Sequence, residues 1–294
     1  VLTPGRTRPW QPEKMVTTMP IDSRTRLFVL LGDPVAHSLS PQMHSAAFNQ
    51  VGFNGVYVAL RVTDAAGAVA GLRSLGVAGA SVTIPHKRAV IEELDEVDPT
   101  AAAIGAVNTI VNVDGRLSGH NTDGVGAVRA LQKKYTLAGK RVAVIGAGGT
   151  ARAVAHTAKA QGAGVTIVNR TAARGEALAQ VLGADFQALA DFKGRDIDVL
   201  INTTSVGMHP DRDAMVIDEA LLNARMVVMD VVYNPLHTRL LRCARQKGCQ
   251  TVDGLAMFVE QGASQFELWT GQKAPFEVMD RVAREAMAGL EGAR

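Results

Sequence analysis

Two ionisable residues, Lys87 and Asp123, lie where the chain is expected to bind a small molecule. Lys87 follows Pro85, which ends a predicted strand, and Asp123 follows a predicted hairpin. An ammonium paired with a carboxylate in a closed cleft can pass a proton to or from an alcohol oxygen while a hydride moves at carbon. By position alone, a surface lysine and a helix-capping aspartate explain the two residues at least as well as catalysis does.

A glycine-rich turn indicates a second kind of chemistry. The predicted buried strand 142–145 runs into glycines, and small helix-forming residues follow at once. Gly146 permits a tight turn, Gly148 lets the backbone approach a pyrophosphate, and Ala151 lets the helix lie close on the strand. The helix N terminus offers free N–H groups to phosphate oxygens. We therefore predict dinucleotide binding by Gly146, Ala147, Gly148, Gly149, Thr150 and Ala151.

The end of the next strand indicates which dinucleotide is bound. Strand 164–168 is followed by Asn169, Arg170 and Thr171, where NAD-binding domains usually place Asp or Glu for the ribose 2′-hydroxyl. No carboxylate lies there, and Arg170 and Arg174 could bind a 2′-phosphate through charge-assisted hydrogen bonds. Two solvated arginines on a surface helix are the simpler alternative. We predict NADP rather than NAD.

Composition narrows the class of protein. The chain has 294 residues, of which 47% are hydrophobic, so it can bury a large core and form two domains. Its 31 basic and 28 acidic residues are scattered, which suits small anionic ligands and does not require nucleic acid. The chain has only two cysteines, Cys243 and Cys249. A disulfide framework is therefore excluded, and a reducing cytoplasm is expected. The histidines show no metal-binding spacing, and no apolar run reaches the roughly 18 residues of a membrane span.

The first 20 residues are predicted to be disordered and to lie outside the fold. They contain four prolines and two arginines but no apolar stretch of the kind found in signal peptides. Two interpretations stay open for this segment: a transit peptide, or a stretch upstream of a start at Met15 or Met19.

From residue 27 onward, strands and helices alternate. Repeated strand, helix, strand units imply right-handed crossovers and a mostly parallel sheet, with ligands beyond the carboxyl ends of the strands. Thr83 and Lys87 should therefore face the site, and a hairpin turning at Asp114-Gly115 should bring Asn108 and Asp123 to the same rim. We predict strands at 27–31, 56–62, 80–85, 164–168, 198–202, 226–232 and 250–253, and helices at 64–75, 89–96, 124–131, 151–161, 172–182, 237–247, 255–269 and beyond Pro275.

Ser40 and Pro41 predict a helix start, with the serine as N-cap and the proline as the first helical residue. Ser38 and Ser40 would then place two hydroxyls beside a positive helix end, where a substrate carboxylate could bind. Capping alone explains Ser40 equally well.

Seven motifs, in this order, resemble the shikimate dehydrogenase family. They span residues 27–270 and are Gly32-Asp-Pro-Val-Ala-His-Ser-Leu-Ser-Pro41, Ser81-Val-Thr-Ile-Pro-His-Lys87, Gly105-Ala-Val-Asn-Thr109, Gly119-His-Asn-Thr-Asp-Gly124, Gly146-Ala-Gly-Gly-Thr-Ala151, Asn169-Arg-Thr171, and Asp253-Gly-Leu-Ala-Met257 with Gln261. The resemblance implies an α/β fold of two domains. A mostly parallel substrate domain (21–122) would be completed by C-terminal helices (256–294), and a Rossmann domain (123–255) would bind NADP and close on it to exclude water.

The resemblance also implies an activity, the reversible NADPH-dependent reduction of 3-dehydroshikimate to shikimate in aromatic amino-acid biosynthesis. Lys87 would be the general acid in reduction and the base in oxidation, with Asp123 as its partner. The other implied contacts are Ser38 and Ser40 with the ring carboxylate, Thr83, Asn108, Asp123 and Gln261 with ring hydroxyls, and Tyr233 on the substrate side of the cleft. On the cofactor side they are Thr203 in a loop of small residues, Gly254 and Met257 near the nicotinamide, and Asn169, Arg170, Thr171 and Arg174 around the 2′-phosphate.

One departure from the family pattern leaves the substrate open. The family motif usually begins with Asn where this chain has Ser81, which is shorter and carries one hydroxyl in place of an amide. Thr150, where the family often has alanine or serine, is a milder change. Quinate or another cyclohexane carboxylate is therefore an alternative substrate, and a non-catalytic ligand-binding relative is a second alternative. A monomer and a homodimer are equally compatible with the sequence.

Overall fold

A computed structural model describes residues 20–292, so the predictions for residues 1–19 and for the two C-terminal residues lie outside the described part of the chain. Two six-stranded sheets organise it, which we call sheet A and sheet B. Sheet A contains β1 (Arg26–Gly32), β2 (Gly55–Arg61), β3 (Gly79–Val82), β4 (Glu96–Val97), β5 (Thr109–Val113) and β6 (Arg116–His120). The helices of this half are α1 (Ser40–Val51), α2 (Ala65–Ser74) and α3 (Pro99–Ile104).

Sheet A is parallel on one side and mixed on the other. Its strand order is β2-β1-β3-β5-β6-β4, and β5 runs antiparallel to both β3 and β6. The predicted hairpin between β5 and β6 is present, and Asp114 and Gly115 have φ values of 51° and 86°. Two consecutive left-handed residues are what a tight hairpin turn needs, which explains the Asp-Gly pair. Asp64 caps α2 as predicted, because its side chain accepts from the N–H of Gly67.

Two predicted elements of this half were wrong in extent or type. The third strand ends at Val82 instead of reaching residue 85. The predicted helix 89–96 is a 3₁₀ turn over Ala89–Glu93, and the two residues of β4 then pair with Ser118 and Gly119. Pairing with β6, a partner about 20 residues away in sequence, overrides the local helical preference.

Sheet B has the strand order of a dinucleotide-binding Rossmann fold. All six strands are parallel, in the order β12-β11-β10-β7-β8-β9, which is the 3-2-1-4-5-6 order read from the other edge. The strands are β7 (Arg141–Ile145), β8 (Gly164–Asn169), β9 (Asp185–Ala188), β10 (Val199–Asn202), β11 (Val227–Asp230) and β12 (Gln250–Val252). The helices are α4 (Asp123–Gln132), α5 (Gly149–Ala160), α6 (Ala172–Leu182) and α7 (Arg239–Gln246). The predicted α/β fold class is thereby confirmed.

The two C-terminal helices, α8 (Gly254–Thr270) and α9 (Phe276–Gly292), return to sheet A. Phe266 and Trp269 of α8 are buried with Phe28 and Phe48, and the Trp269 indole N–H donates to the Ile110 carbonyl at 3.0 Å. A Cβ at Gly79 would lie 2.4 Å from the Trp269 indole nitrogen, so only a residue without a side chain fits at this position of β3. The C-terminal helices thus complete the core of the first half of the chain.

Small residues let α4 lie between α5 and α8. A Cβ at Gly124 would come within 2.4 Å of the Ala153 carbonyl oxygen, and one at Gly126 within 2.8 Å of the Gln261 backbone nitrogen. Ile104, Ala106 and Ala153 form a further buried cluster that joins the end of α3 to α5. The glycine-rich turn before α5 is therefore held close to the edge of sheet A.

Three predicted absences can be compared with the described residues. Between residues 20 and 292, no helix is both long and apolar enough to cross a bilayer. The same range holds no cluster of three or more His, Cys, Asp or Glu side chains suited to a metal ion. Cys243 and Cys249 are both buried free thiols.

Candidate functional site

Lys87 and Asp123 form an ion pair at the carboxyl-terminal edge of sheet A. The Lys87 ammonium donates to Oδ2 of Asp123, and the side chains are 15% and 7% exposed. Lys87 reaches this point from the loop after β3, and Asp123 is the first residue of α4. The positive end of the α4 dipole favours a carboxylate at that position. The structure therefore places an ammonium and a carboxylate together at the edge where the sequence predicts ligands.

Both oxygens of Asp123 are engaged. Oδ1 accepts from the Asn108 amide at 2.7 Å while Oδ2 faces Lys87. The backbone N–H of Asp123 donates to Asn121 Oδ1 at 3.1 Å, and Asn121 in turn donates to the Ala106 carbonyl at 2.9 Å. The carboxylate thus has one fixed orientation.

The loop that carries Lys87 is anchored on both sides. The Lys87 carbonyl accepts from the Val107 N–H at 2.8 Å. The buried His86 ring donates from Nε2 to the Val62 carbonyl at 2.7 Å, because a carbonyl oxygen can only accept. His86 has no role predicted from the sequence, although its place between Pro85 and Lys87 was a signal. Its hydrogen bond fixes the point from which Lys87 extends.

Asn108 and Gln261 lie on the same rim. The Asn108 amide donates to Thr122 Oγ1 at 2.9 Å as well as to Asp123, and Gln261 Oε1 lies 3.5 Å from the amide nitrogen. Gln261 comes from α8, so the C-terminal helices contribute to this edge. Thr83 directly follows β3 and is half-buried, with its methyl group against Gly32.

The serines at the start of α1 differ from the prediction in one respect. Ser40 is the first helical residue and Leu39 occupies the N-cap position, without a capping side-chain hydrogen bond. Ser38 Oγ instead accepts from the Ser40 N–H at 3.2 Å, which forms a short serine turn before the helix. Ser40 is buried and Ser38 half-buried, so the two hydroxyls remain at the helix start although their capping roles differ from those expected.

Ser81, the residue that departs from the family pattern, has its hydroxyl hydrogen-bonded within the protein. Its hydroxyl accepts from Tyr57 at 2.7 Å and donates to Gln265 Oε1 at 2.9 Å. Burial raises the pKa of Tyr57, against which its hydrogen bonds to Ser81 and Ser40 act. The Ser81 side chain therefore joins β2 to α8 through hydrogen bonds.

The glycine-rich turn has the geometry that its sequence requires. Gly146 has φ +120°, and a Cβ there would lie 2.6 Å from Thr203 Oγ1, whose proton goes to the Ile145 carbonyl. Helix α5 begins at Gly149, two residues before the predicted start, and Gly148 is an N-cap with no side chain and with open space where a Cβ would lie. Ala147 and Thr150 are half-buried and Ala151 is fully buried against the sheet.

Lys87 approaches this turn from the other sheet. Its Cδ lies 3.8 Å from the position that a Cβ at Gly149 would take, and the Ala106 methyl group lies 3.7 Å from the same point. The free N–H groups at the start of α5 therefore open next to the ion pair.

The segment after β8 carries unpaired positive charge. Arg170 and Arg174 are exposed, and neither guanidinium has a hydrogen bond or ion pair within residues 20–292. Asn169 donates to the Thr171 carbonyl at 2.8 Å, and Thr171 is the N-cap of α6 with its hydroxyl not used for capping. Open N–H groups at α5 and these two free arginines at α6 fit a dinucleotide that carries an additional phosphate on its ribose.

Tyr233 follows β11, and Gly254 and Met257 lie in the first turn of α8, directly after β12. The Tyr233 ring packs against Phe258 with centroids 5.2 Å apart, and burial raises the pKa of its hydroxyl. Gly254 lies against the preceding loop, since a Cβ there would be 2.4 Å from the Val231 carbonyl oxygen. Met257 is buried one turn into α8. All three lie where the carboxyl ends of sheet B meet α8.

Asp230, for which the sequence predicted no role, holds these loops in place through hydrogen bonds. It is fully buried at the end of β11 and accepts from Asn202 at 3.0 Å, from the Val232 N–H at 3.1 Å and from Thr238 at 2.7 Å. Burial raises its pKa to about 6. A carboxylate at the end of an apolar strand was the available signal. Asp230 links the loop after β10, through Asn202, to the loop that carries Tyr233.

Three family models match the sequence. One described as "Shikimate dehydrogenase substrate binding domain" matches residues 30–110, and one described as "Shikimate / quinate 5-dehydrogenase" matches residues 129–232. The third, "Shikimate 5'-dehydrogenase C-terminal domain", matches residues 254–284. The matches extend over both sheets and the C-terminal helices.

Similar proteins cover nearly the whole chain. The NADP(+) shikimate dehydrogenase of Moorella thermoacetica is 48% identical over 286 residues, which is 92% of this chain and 97% of that protein. A crystal structure of a shikimate dehydrogenase in complex with NADP+ is 40% identical and superposes with a TM-score of 0.89, over 92% of this chain and 99% of the other. The structure of shikimate 5-dehydrogenase from Thermus thermophilus in complex with NADP(H) and shikimate is 40% identical, with a TM-score of 0.84 over 89% and 100%.

Proposed function

Because this chain belongs to the shikimate dehydrogenase family, we propose that it catalyses the reversible NADPH-dependent reduction of 3-dehydroshikimate to shikimate. One observation carries the proposal: Lys87 forms an ion pair with Asp123, and its Cδ lies 3.8 Å from the point that a Cβ at Gly149 of the glycine-rich turn would occupy. A proton donor is therefore adjacent to the expected cofactor site. A ligand-binding relative without activity would not need this pairing.

In this proposal Lys87 is the general acid of reduction. Bound NADPH supplies the hydride. Lys87 Nζ gives a proton to the substrate oxygen as the carbonyl becomes an alcohol, and takes it back in the oxidation of shikimate. Asp123 holds the amine in position and stabilises its charged form, and its own orientation is fixed by Asn108.

The substrate would lie along the edge of sheet A. Ser38 and Ser40 would bind its carboxylate at the start of α1, a helix end that favours negative charge. Hydroxyl groups on the ring would meet the polar side chains of the rim, namely Thr83, Asn108, Asp123 and Gln261, with Tyr233 closing the far side.

The cofactor would lie along the edge of sheet B. The free N–H groups of the turn Gly146, Ala147, Gly148, Gly149, Thr150 and Ala151 would hold its pyrophosphate. Its 2′-phosphate would bind Asn169, Arg170, Thr171 and Arg174, and its nicotinamide would lie near Thr203, Gly254 and Met257.

The division into domains follows from the same assignment. We place the substrate domain at residues 21–122 with 256–294 and the NADP domain at 123–255, since sheet A and sheet B lie within these ranges. The two free thiols suit a cytoplasmic enzyme. A monomer or a homodimer would serve the reaction equally, because every proposed contact comes from one chain.

The proposal is tested by mixing the purified protein with shikimate and NADP+ and following the absorbance of the reduced cofactor. We expect turnover with this pair, and less with NAD+. Parallel reactions with quinate decide the alternative raised by Ser81. A folded protein that reduces neither cofactor with either acid would contradict the proposal and favour the ligand-binding alternative.

A further inference from the structure

We propose that Thr109 is a positioning residue for the Lys87–Asp123 pair, acting together with Gln265 of α8 by fixing the orientation of the Asn108 side chain. This inference rests on the proposed function, because it concerns the acid–base pair of that reaction. Thr109 is fully buried at the start of β5 and is not itself exposed to a substrate.

The first step is the orientation of the Asn108 amide. Its oxygen accepts from the Thr122 N–H at 2.8 Å and from the Thr109 hydroxyl at 2.7 Å. Its nitrogen then points to Asp123 Oδ1 at 2.7 Å. A rotated amide would place its oxygen against the carboxylate, with no proton between them. The donors on the Asn108 oxygen, which also include the Thr122 hydroxyl at 3.3 Å, therefore decide that Asp123 receives a hydrogen bond.

The second step is the direction of the Thr109 proton. Thr109 Oγ1 accepts from the Gln265 amide at 3.0 Å, so its own proton is free to point at Asn108. Gln265 cannot rotate without loss, because its nitrogen also donates to the Asn108 carbonyl at 3.1 Å and its oxygen accepts from Ser81. The direction of each proton in this part of the network is thus determined by the next hydrogen bond.

The chain of hydrogen bonds is continuous from β2 to the ion pair. Tyr57 donates to Ser81, Ser81 to Gln265, Gln265 to Thr109, Thr109 to Asn108, and Asn108 to Asp123. Each of these side chains except Asp123 is neutral, and all six are buried. Buried networks with every partner present hold their members rigidly. Asp123 Oδ2 is thereby left in one position, where it accepts from Lys87.

The test compares Thr109→Val, which removes the hydroxyl at nearly constant shape, with Thr109→Ser, which keeps it. We expect Thr109→Val to lower kcat for shikimate oxidation about tenfold or more, to change KM less, and to displace the midpoint of the pH profile of kcat. Thr109→Ser should recover most of kcat and the original profile. Thr270→Val is the matched control, because its hydroxyl bonds only within the end of α8 and the following turn.

A second variant covers the case in which Thr109→Val does not fold. Gln265→Met should reproduce the loss of kcat and the displaced pH profile, and in the double variant the two losses should not add, because both act through the Asn108 amide. If the wild-type enzyme is active and both single variants keep its kcat and pH profile, this inference is overturned while the proposed function stands. A lower melting temperature with unchanged kcat would do the same, since it assigns the network to stability. An inactive wild type would overturn the proposed function and this inference with it.

Discussion

Sheet A and sheet B hold the charged groups of the cleft in opposite ways. On sheet A, the half-buried Lys87 is paired with the buried Asp123, and a hydrogen bond from Asn108 fixes the carboxylate. On sheet B, Arg170 and Arg174 are exposed and have no partner in the described part of the chain. Groups that move a proton need one geometry before the substrate arrives. Groups that bind a phosphate can stay solvated until the phosphate replaces the water.

Asp230 shows what the pairing on sheet A achieves. Like Asp123, it is a buried aspartate at the carboxyl edge of a sheet, but its partners are an amide, a hydroxyl and a backbone N–H. Without a nearby cation, burial raises its pKa to about 6. An aspartate in that environment can hold loops in place through its three hydrogen bonds.

The largest effect is expected where the buried pair is broken. Lys87→Ala removes the proposed proton donor and leaves the Asp123 carboxylate buried without its cation, so kcat for shikimate should fall by about 10²- to 10⁴-fold. Binding of NADP+ should largely survive, because the phosphate-binding groups lie on sheet B. Steady-state kinetics and a cofactor titration measure the two quantities. Lys134→Ala, at an exposed lysine just after α4, is the control, and near-normal turnover by Lys87→Ala would refute the acid–base role.

The next effect should appear at Asp230 as a pH dependence of stability. Its pKa is raised from 3.8 to about 6 in the folded protein, so folding is favoured by this group below about pH 4 and loses that contribution as the pH rises through 6. Over that window the loss is of the order of 3 kcal/mol. Asp230→Asn cannot ionise, so its stability relative to wild type should rise between about pH 4 and 6 and then stay level.

Urea unfolding at a series of pH values measures this difference. Asp198→Asn is a control of opposite sign, because the backbone hydrogen bond from Arg141 holds the pKa of Asp198 below 3.8. Its carboxylate stabilises the fold above the unfolded pKa, so that variant should lose stability relative to wild type as the pH rises. A flat difference for Asp230→Asn would mean that folding does not change the pKa of this carboxyl.

Where local sequence patterns determine the fold, the predictions agree closely with the structure. Helix α6 has the predicted bounds of 172–182, and the Asp114-Gly115 turn lies where its backbone chemistry requires it. The strand β9 was missed because Asp185–Ala188 is only four residues long and has a single large apolar side chain, Phe186, although it pairs in parallel with β8. Helix α5 was predicted to begin at Ala151, because glycines are poor helix formers, yet it begins at Gly149 beside the open turn.

The candidate site shows the same difference between features that follow from a local segment and features that need contacts between distant residues. The glycine-rich turn is one continuous segment, and its sequence alone indicates a phosphate site. The hydrogen bond between Thr109 and Gln265 joins residues 156 positions apart, and no local spacing predicts it. The sequence left open whether Ser81 contacts the substrate. Its hydroxyl is hydrogen-bonded to Tyr57 and Gln265, which only the packing of α8 on sheet A reveals.

The smallest effect is expected on cofactor choice. It would distinguish most clearly between the roles of the charged groups on the two sheets. Arg170→Asp removes one of the two free guanidinium groups and adds a negative charge near the expected 2′-phosphate. We expect KM for NADP+ to rise about 10- to 100-fold, as for the loss of a hydrogen bond to a charged group, while KM for NAD+ changes little.

Because Arg170 is exposed, the effect on KM for NADP+ should shrink as salt is added, whereas the effect of Lys87→Ala should not. Arg225→Asp is the matched control, since this exposed arginine precedes β11 and so lies at the amino-terminal edge of sheet B, opposite the cleft. An unchanged ratio of the two KM values in Arg170→Asp would exclude a 2′-phosphate site at this arginine. A loss of kcat equal to that of Lys87→Ala would contradict the division between proton transfer on sheet A and phosphate binding on sheet B, because the arginine would then act in proton transfer and not in binding.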